Sequence, residues 1–487
     1  MVLSILGKVM LLEAVLLLFP MLVGVIYVEN NLIQFLVPIM LLLSIGAPLS
    51  FIKTKDKAIF AKEGFVIVAL SWIILSLVGA MPFVISGEIP NYVDALFETV
   101  SGFSTTGASI MGDVEILSKA SMFWRLFTHW IGGMGVLVFV LAILPATETG
   151  SMHVFRAESP GPTAQKLVSK LSFTARILYL IYMSMTIIET IFLLCGGLEF
   201  YDALLYSFST AGTGGFAITN QGVTAYNSVY VEMVIAVFML LFSINFNVYY
   251  LMLIGQFKKA FKSEELRAYL IIVVVATVSI TLNILSSIGS IGQALSQAFF
   301  QTTAISSTTG LSNADFNEWP AFSKAIILLL TVMGACAGST GGGIKVSRFV
   351  ILIKSAFKDI KRMIHPRSVV SISFENQPVE RDTERGIRTY FIVWIFIVII
   401  CAFLLAMDGV ANEWIIAKGF SEMATHLSAT LACIGNIGPG IEAVGPTMNY
   451  AMYSPFSKAL LSFVMLVGRL EIFPMIILFA PRTWKRG

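Results

Sequence analysis

Four segments of this 487-residue chain share a pattern able to hold a bare cation. The first runs Asp94-Ala-Leu-Phe-Glu-Thr-Val-Ser-Gly-Phe-Ser-Thr-Thr-Gly107, and the second Asp202-Ala-Leu-Leu-Tyr-Ser-Phe-Ser-Thr-Ala-Gly-Thr-Gly-Gly215. The third runs Gln297-Ala-Phe-Phe-Gln-Thr-Thr-Ala-Ile-Ser-Ser-Thr-Thr-Gly310. In all three, an Asp or Gln followed by Ala stands 13 residues before a glycine. The fourth, Ala429-Thr-Leu-Ala-Cys-Ile-Gly-Asn-Ile-Gly438-Pro-Gly440, lacks that opening but ends in the same way.

Elementary physics gives each part a job. Asp94 and Asp202 are expected to N-cap a short helix each. The far end of such a helix carries partial negative charge, which stabilises a cation when it points into a membrane. The chain must then return as extended backbone, and carbonyls from four such strands can replace the water shell of a potassium ion. A glycine at each turn lets the carbonyl aim at the axis without a steric penalty. One Gly/Ser/Thr-rich loop would read as a packing surface between membrane helices. Four of them, each between two spanning helices and on one side, point to a pore.

The elements that must position these segments follow from composition. Apolar residues make up 57% of the chain and charged residues 13%, with a mean hydropathy of +0.85 and a net charge of +3. A soluble domain carries about 25% charged residues, so lipid is the expected solvent. Ten stretches approach the roughly 20 apolar residues a spanning helix needs: about 4–27, 32–52, 64–86, 121–145, 175–196, 228–255, 268–288, 321–355, 388–407 and 455–480. Only the eighth carries an evident break, at Gly338-Ser-Thr-Gly-Gly-Gly343. The first contains Glu13 and Pro20 and reads as a retained helix, not a cleaved signal peptide.

Basic clusters alternate with acidic ones along the chain. Lys53, Lys55, Lys57 and Lys62 follow the second stretch, Arg156, Lys166, Lys170 and Arg176 the fourth, and Lys258, Lys259, Lys262 and Arg267 the sixth. Arg348, Lys354, Lys358, Lys361, Arg362, Arg367, Arg381, Arg385 and Arg388 accompany the eighth, and Arg482, Lys485 and Arg486 end the chain. By the positive-inside rule these regions and both termini are cytoplasmic. The opposite connections after stretches three, five, seven and nine are about 35, 30, 30 and 45 residues long, and each is expected to dip into the membrane and return, backbone that is tolerated only where it lines a path or is buried. The four cysteines and four histidines are scattered and make no disulfide framework or metal site.

Four helix–loop–helix units in one polypeptide, with one glycine ending each loop, resemble the Trk/Ktr/HKT superfamily of potassium uptake proteins. The resemblance runs from about residue 60 onward. The two extra N-terminal helices, the glycine-rich break and the length make the chain most similar to the bacterial TrkH type. That resemblance implies an all-α membrane fold of four tandem M1–P–M2 repeats around a pseudo-fourfold pore. Its division would be a hairpin at 1–57 and repeats at 58–150, 151–262, 263–365 and 366–487. It implies a selectivity filter of Thr105, Thr106 and Gly107; Thr213, Gly214 and Gly215; Thr308, Thr309 and Gly310; and Asn436, Ile437 and Gly438. Members with serine at the first filter position tend to pass sodium, so Gly107 implies potassium, with rubidium admitted.

Gly338 to Lys345 looks superficially like a phosphate-binding loop, but Ile344 separates Gly343 from Lys345 and no strand precedes it. By resemblance, Gly338, Ser339, Thr340, Gly341, Gly342, Gly343 and Lys345 form an intramembrane gate under the filter; the alternative is a kink that only packs. Arg469 falls mid-way along the tenth stretch, where a cation is by default functional. By resemblance it is an electrostatic barrier in the pore, and an internal ion pair with Glu471 or another carboxylate is a compatible reading. Glu98 and Arg125 could pair in support of the first loop. Asn245 and Asn247 would satisfy the break or line a cavity, and His129 and Trp130 would pack behind the first filter.

No Walker sequence, Asp-Lys-Thr-Gly site or paired catalytic side chains occur, so no enzyme activity is expected. Potassium is expected as permeating ion only, with no covalent cofactor and no nucleic-acid partner. The family implies a cytoplasmic TrkA-like ring that binds the regulating nucleotide, a homodimer with two pores, and residence in the bacterial inner membrane. The segment 352–388 is a candidate landing site for that ring, or simply a solvated basic loop. A secondary transporter coupling potassium to protons or sodium is the rival class, but carriers usually use inverted repeats, whereas these four units are parallel.

Overall fold

The computed structural model describes residues 2–52, 61–135, 171–368 and 371–484. Lys53, Lys55, Lys57, Arg156, Lys166, Lys170, Lys485 and Arg486, the later part of the expected 121–145 span, and the expected boundaries at 57/58 and 150/151 lie outside them.

Among the described residues, six helices are long and apolar enough to cross a membrane: Val2–Ile26, Ile33–Ser50, Lys62–Ser86, Thr174–Cys195, Glu264–Ile288 and Arg381–Ala406. Their sequences are apolar all round, the signature of helices with lipid on one side and protein on the other. On Glu264–Ile288, Ile271, Val274, Val275, Val278 and Leu282 face outward, while Val273, Ala276, Ile280 and Ile284 are buried. The first two helices form a hairpin that leans on the rest of the molecule through the Phe19–Phe127 ring contact, with centroids 5.6 Å apart.

The remaining four long helices each lead a unit. Each is followed by a short helix that is largely buried (Tyr92–Phe103, Phe200–Ala211, Ile291–Ser306 and Glu422–Gly435), then by an outgoing loop and a trailing helix. In unit 1, Trp124 of the trailing helix Lys119–Met134 donates from Nε1 to Gly79 O of the leading helix at 2.9 Å. Its ring also meets Phe103 of the short helix edge-on, so a single indole ties the three elements together. In unit 2, Thr190 donates to Ser207 between leading and short helices at 2.9 Å; in unit 3, Ser323 reaches Asn283 at 2.7 Å.

Two sequence expectations are corrected by this geometry. The first short helix is capped by Asn91, whose backbone is extended and whose Oδ1 accepts from Val93 N at 2.9 Å. Asp94 already lies in the first turn, where it complements the helix dipole and accepts from Lys458 of unit 4 at 2.7 Å. Asp202 likewise sits inside its helix and accepts from Tyr226 Oη at 2.8 Å. The second correction concerns the trailing helices, of which more than the eighth stretch is interrupted. Val229–Phe242 and Phe246–Leu253 meet at 89°. Ala321–Met333 and Val346–Ile364 flank the glycine-rich loop. Pro455–Arg469 and Phe473–Phe479 are separated by Glu471 and Ile472, both at positive φ. Unit 1's trailing helix ends at Gly135, φ +79°.

On the side of the basic clusters, Ser373–Phe374 pairs antiparallel with Gln377–Pro378. Glu375 and Asn376 turn this hairpin with φ of 52° and 60°, as a two-residue primed turn requires.

Candidate functional site

All four short helices end in one way. Thr105, Thr213, Thr308 and Asn436 adopt left-handed backbone, with φ of 55°, 53°, 63° and 53°. The next residue's N–H then reaches back five residues: Thr106 to Ser101, Gly214 to Ser209, Thr309 to Ala304 and Ile437 to Ala432, at 2.8–2.9 Å. This is the Schellman arrangement, normally built on glycine. Holding a β-branched threonine there costs about 1–3 kcal/mol and persists only where the surroundings over-determine it.

One residue further on, Gly107, Gly215, Gly310 and Gly438 have φ of 78°, 88°, 77° and 92°. A Cβ on Gly107 would strike Gly214 O, one on Gly215 would strike Thr309 O, one on Gly310 would strike Ile437 O, and one on Gly438 would strike Thr106 O. Loop 1 therefore leans on loop 2, 2 on 3, 3 on 4, and 4 on 1. The expected triplets meet as a closed cycle of backbone, with room for no side chain at any of the four glycines. Asn436 adds a direct tie across the last seam, donating from Nδ2 to Thr106 Oγ1 and Met465 O, each at 2.9 Å. Thr106 and Thr309 pair their hydroxyls with Ser104 and Ser307 at 2.7 Å, which occupies those side chains away from their carbonyls.

The outgoing strands are braced from behind. Glu98 takes Arg125 Nε at 2.7 Å, Ser109 Oγ at 2.9 Å and Ile110 N at 3.0 Å. Arg125 in turn donates to Ala217 O at 3.0 Å and lies 3.6 Å over the Phe216 ring, so this buried pair holds the strands of loops 1 and 2 together. Gln301 holds the corresponding place in unit 3, nine residues before its glycine, and donates to Ser312 Oγ at 2.9 Å and Ala314 O at 3.1 Å. His129 is wedged between loops 1 and 2. Its Nε2 accepts from Phe216 N at 3.2 Å, so Nδ1 carries the proton donated to Gly102 O at 2.7 Å. Its ring fills the space a side chain at Gly214 would need. Trp130 does not join it; it stacks on Phe127 and Tyr182.

A cavity of about 520 Å³ opens on the outer-loop face of the ring, lined by all four glycines together with Arg125 and Asp315. On the opposite face the space shrinks to about 60 Å³ beside Trp72, Gly341, Gly342, Gly343 and Arg469. The constriction is made by the glycine-rich loop. Gly342 N donates to Thr308 Oγ1 at 2.6 Å, directly beneath loop 3. The loop also fills the break in unit 2. Cys336 N donates to Ser243 O at 3.1 Å and Thr340 Oγ1 to Phe242 O at 3.1 Å, while Gly338 O accepts from Phe246 N at 3.0 Å. Backbone groups freed by one interrupted helix are thus satisfied by another, as buried backbone must be. Asn245 caps the restarted helix through Asn247 N, and Lys345 donates to Gly341 O within the loop.

Arg469 completes the constriction. Its guanidinium donates to Thr340 O at 2.9 Å, Gly132 O at 2.5 Å and Gly133 O at 2.7 Å, so a cation sits against the carbonyl end of unit 1's trailing helix. Glu471 instead pairs with Arg348 at 2.5 Å, because the chain turns sharply between 469 and 472.

The sequence pattern of the TrkH family of cation transport proteins matches residues 31–486. The chain is 34% identical to the Trk system potassium uptake protein TrkH of Salmonella typhimurium, covering 99% of this chain and 98% of that relative. It is 30% identical to the Trk system potassium uptake protein TrkG of Escherichia coli K12, over 96% of this chain and 94% of the relative. The crystal structure of the potassium transporter TrkH from Vibrio parahaemolyticus superposes with a TM-score of 0.86 at 31% identity, covering 99% of each chain.

Proposed function

The chain belongs to the TrkH family of cation transport proteins, and from that membership we propose that it carries potassium ions across the membrane through the ring of four loops. The observation that carries this reading is the closed cycle in which each loop's glycine abuts the next loop's carbonyl oxygen. Such a cycle leaves only backbone at the narrowest point, and backbone carbonyls are the groups that can replace an ion's hydration shell. Thr105, Thr106, Gly107, Thr213, Gly214, Gly215, Thr308, Thr309, Gly310, Asn436, Ile437 and Gly438 are the filter in this reading, and rubidium passes with potassium. The loop from Gly338 to Lys345 is the gate, supported by its bond to Thr308 and the narrow space beside it. Arg469 is the barrier, supported by its place in the same space.

The working division is the hairpin at 1–57 and repeats at 58–150, 151–262, 263–365 and 366–487, placed in a bacterial inner membrane with both termini inside. A TrkA-like ring that binds nucleotide is the proposed regulatory partner on the basic face, and a homodimer with separate pores the proposed assembly. No catalytic role is assigned. Purified protein in liposomes loaded with potassium should take up rubidium down its electrical gradient. Discrete single-channel openings that reverse at the potassium equilibrium potential support the pore; uptake strictly tied to a proton or sodium gradient sinks it in favour of a coupled carrier.

A further inference from the structure

Both ends of the glycine-rich loop are held by one carboxylate. Glu265, 4% exposed in the first turn of unit 3's leading helix, accepts from Ala337 N at 2.8 Å and from Ser347 N at 3.1 Å through the same oxygen. Those two residues flank the entry and exit of the loop, so the position of Glu265 sets where the loop starts and stops. The first turn that carries Glu265 is itself held from outside the membrane helices. Glu375, at the tip of the Ser373–Pro378 hairpin, accepts from Ser263 Oγ at 2.8 Å and from the backbone N–H of Glu265 at 3.1 Å. Ser263 is the N-cap of that helix, accepting from Leu266 N at 3.3 Å. The hairpin's other attachment is to the helix leaving the loop: Lys354 donates to Ser373 O at 2.8 Å and pairs with Glu264.

We propose that Glu265 is a positioning residue of the gate, and that Glu375 makes the cytoplasmic hairpin the lever that works it. This rests on reading Gly338–Lys345 as the gate. The first N–H groups of a helix have no partner within the helix. While Glu375 satisfies two donors at this terminus, the first turn is fixed and Glu265 stays under the loop. Drawing the hairpin away removes that acceptor, the turn frays, and the carboxylate leaves Ala337 and Ser347 together. The loop then loses both anchors in one step, while its contacts to Thr308 and Arg469 remain as the closed-state preference. A partner docked on the hairpin therefore needs no contact with the pore. A small cavity of about 80 Å³, lined by Asn245, Ser263, Glu265, Ala337, Ser347 and Glu375, leaves room for this local rearrangement.

The test pairs hydrogen exchange of residues 336–347 with rubidium flux in liposomes, on full-length Glu265→Ala, Glu265→Gln and Glu375→Ala. Expected are faster exchange and flux raised about fivefold or more in both alanine variants, a coupling of ordinary size. Selectivity for rubidium over sodium should not move, because the filter is untouched. Glu265→Gln retains an acceptor oxygen and should restore both readouts, which a general loss of packing would not allow. Unchanged exchange in Glu375→Ala overturns the relay whatever the flux does. Faster exchange with unchanged flux leaves the relay standing and overturns the gate reading beneath it.

Discussion

Arg469 donates to Thr340 O across 129 residues of chain, which ties the break in unit 4 to the middle of the glycine-rich loop. The same guanidinium reaches the last carbonyls of unit 1's trailing helix. One side chain thus joins the glycine-rich loop, the break in unit 4 and the carbonyl end of unit 1's trailing helix.

Replacing Arg469 by alanine removes a positive charge from the narrow space and releases Thr340. Potassium flux should rise, by about tenfold if the side chain contributes a typical 1–3 kcal/mol of coupling between loop and pore. Rubidium uptake by reconstituted protein is the measurement. Unchanged or lower flux in a well-folded variant counts against the barrier.

Gly310→Ala places a methyl group onto Ile437 O at a position with φ of 77°. The loop must shift, because the Ile437 backbone and the rigid ring of Pro439 leave no flexible side chain to give way. Growth of a potassium-uptake-deficient strain on low potassium should fail with this variant although the protein reaches the membrane. Normal growth would remove the ring from the mechanism.

Glu98 and Arg125 form a buried pair whose single removal leaves an uncompensated charge. Glu98→Gln and Arg125→Met should each cost about 3–5 kcal/mol, read as a large drop in the thermal unfolding midpoint of the purified protein. The double variant should lose clearly less than the two singles combined. Additive losses would mean that the pair is not acting as a unit.

Asp408 caps the small helix Gly409–Ala417 on the outer face and also accepts from Ser457 Oγ at 2.6 Å and Ser454 N at 2.9 Å. Burial pushes its carboxyl up, but these hydroxyl and N–H donors outweigh that and hold it below the usual range. A depressed carboxyl contributes stability that is present above the ordinary Asp value of about 3.9 and lost as pH falls through the lower folded value. Asp408→Asn should therefore flatten the acid limb of the stability curve below about pH 4. An unaltered acid limb refutes the assignment.

The short helices and their glycines were legible because the same residue types recur at one spacing. Gln301 was equally visible, standing where Glu98 stands in its unit, yet the match is easily passed over because only one of the two is charged. The caps depart from the expected aspartates for a local reason. An N-cap is defined by extended backbone before the first turn, and Asn91, three residues ahead of Asp94, has it. The breaks at 243–245 and 470–472 carry no run of glycines to announce them. At the first break, distant groups on Cys336 and Thr340 take up the backbone carbonyls that the interruption frees; at the second, Arg348 pairs with the side chain of Glu471 inside the turn. Adjacent stretches of sequence cannot declare such partners. Arg469 and Glu471 stand two residues apart, a spacing that puts side chains on opposite faces of a helix, and the turn at 471–472 hands Glu471 to Arg348.

The cyclic order of the loops has a consequence for how the protein is made. Loop 1 is synthesised early, but its neighbour on one side, Gly438, comes 331 residues after Gly107. Until the last unit leaves the ribosome, Thr106 faces an empty seat and the cycle is a horseshoe. A chain stopped before the fourth unit carries three of the four loops and lacks both the Gly438 contact and the Asn436 tie to Thr106. The ring is complete only when Gly438 meets loop 1 and Asn436 closes on Thr106.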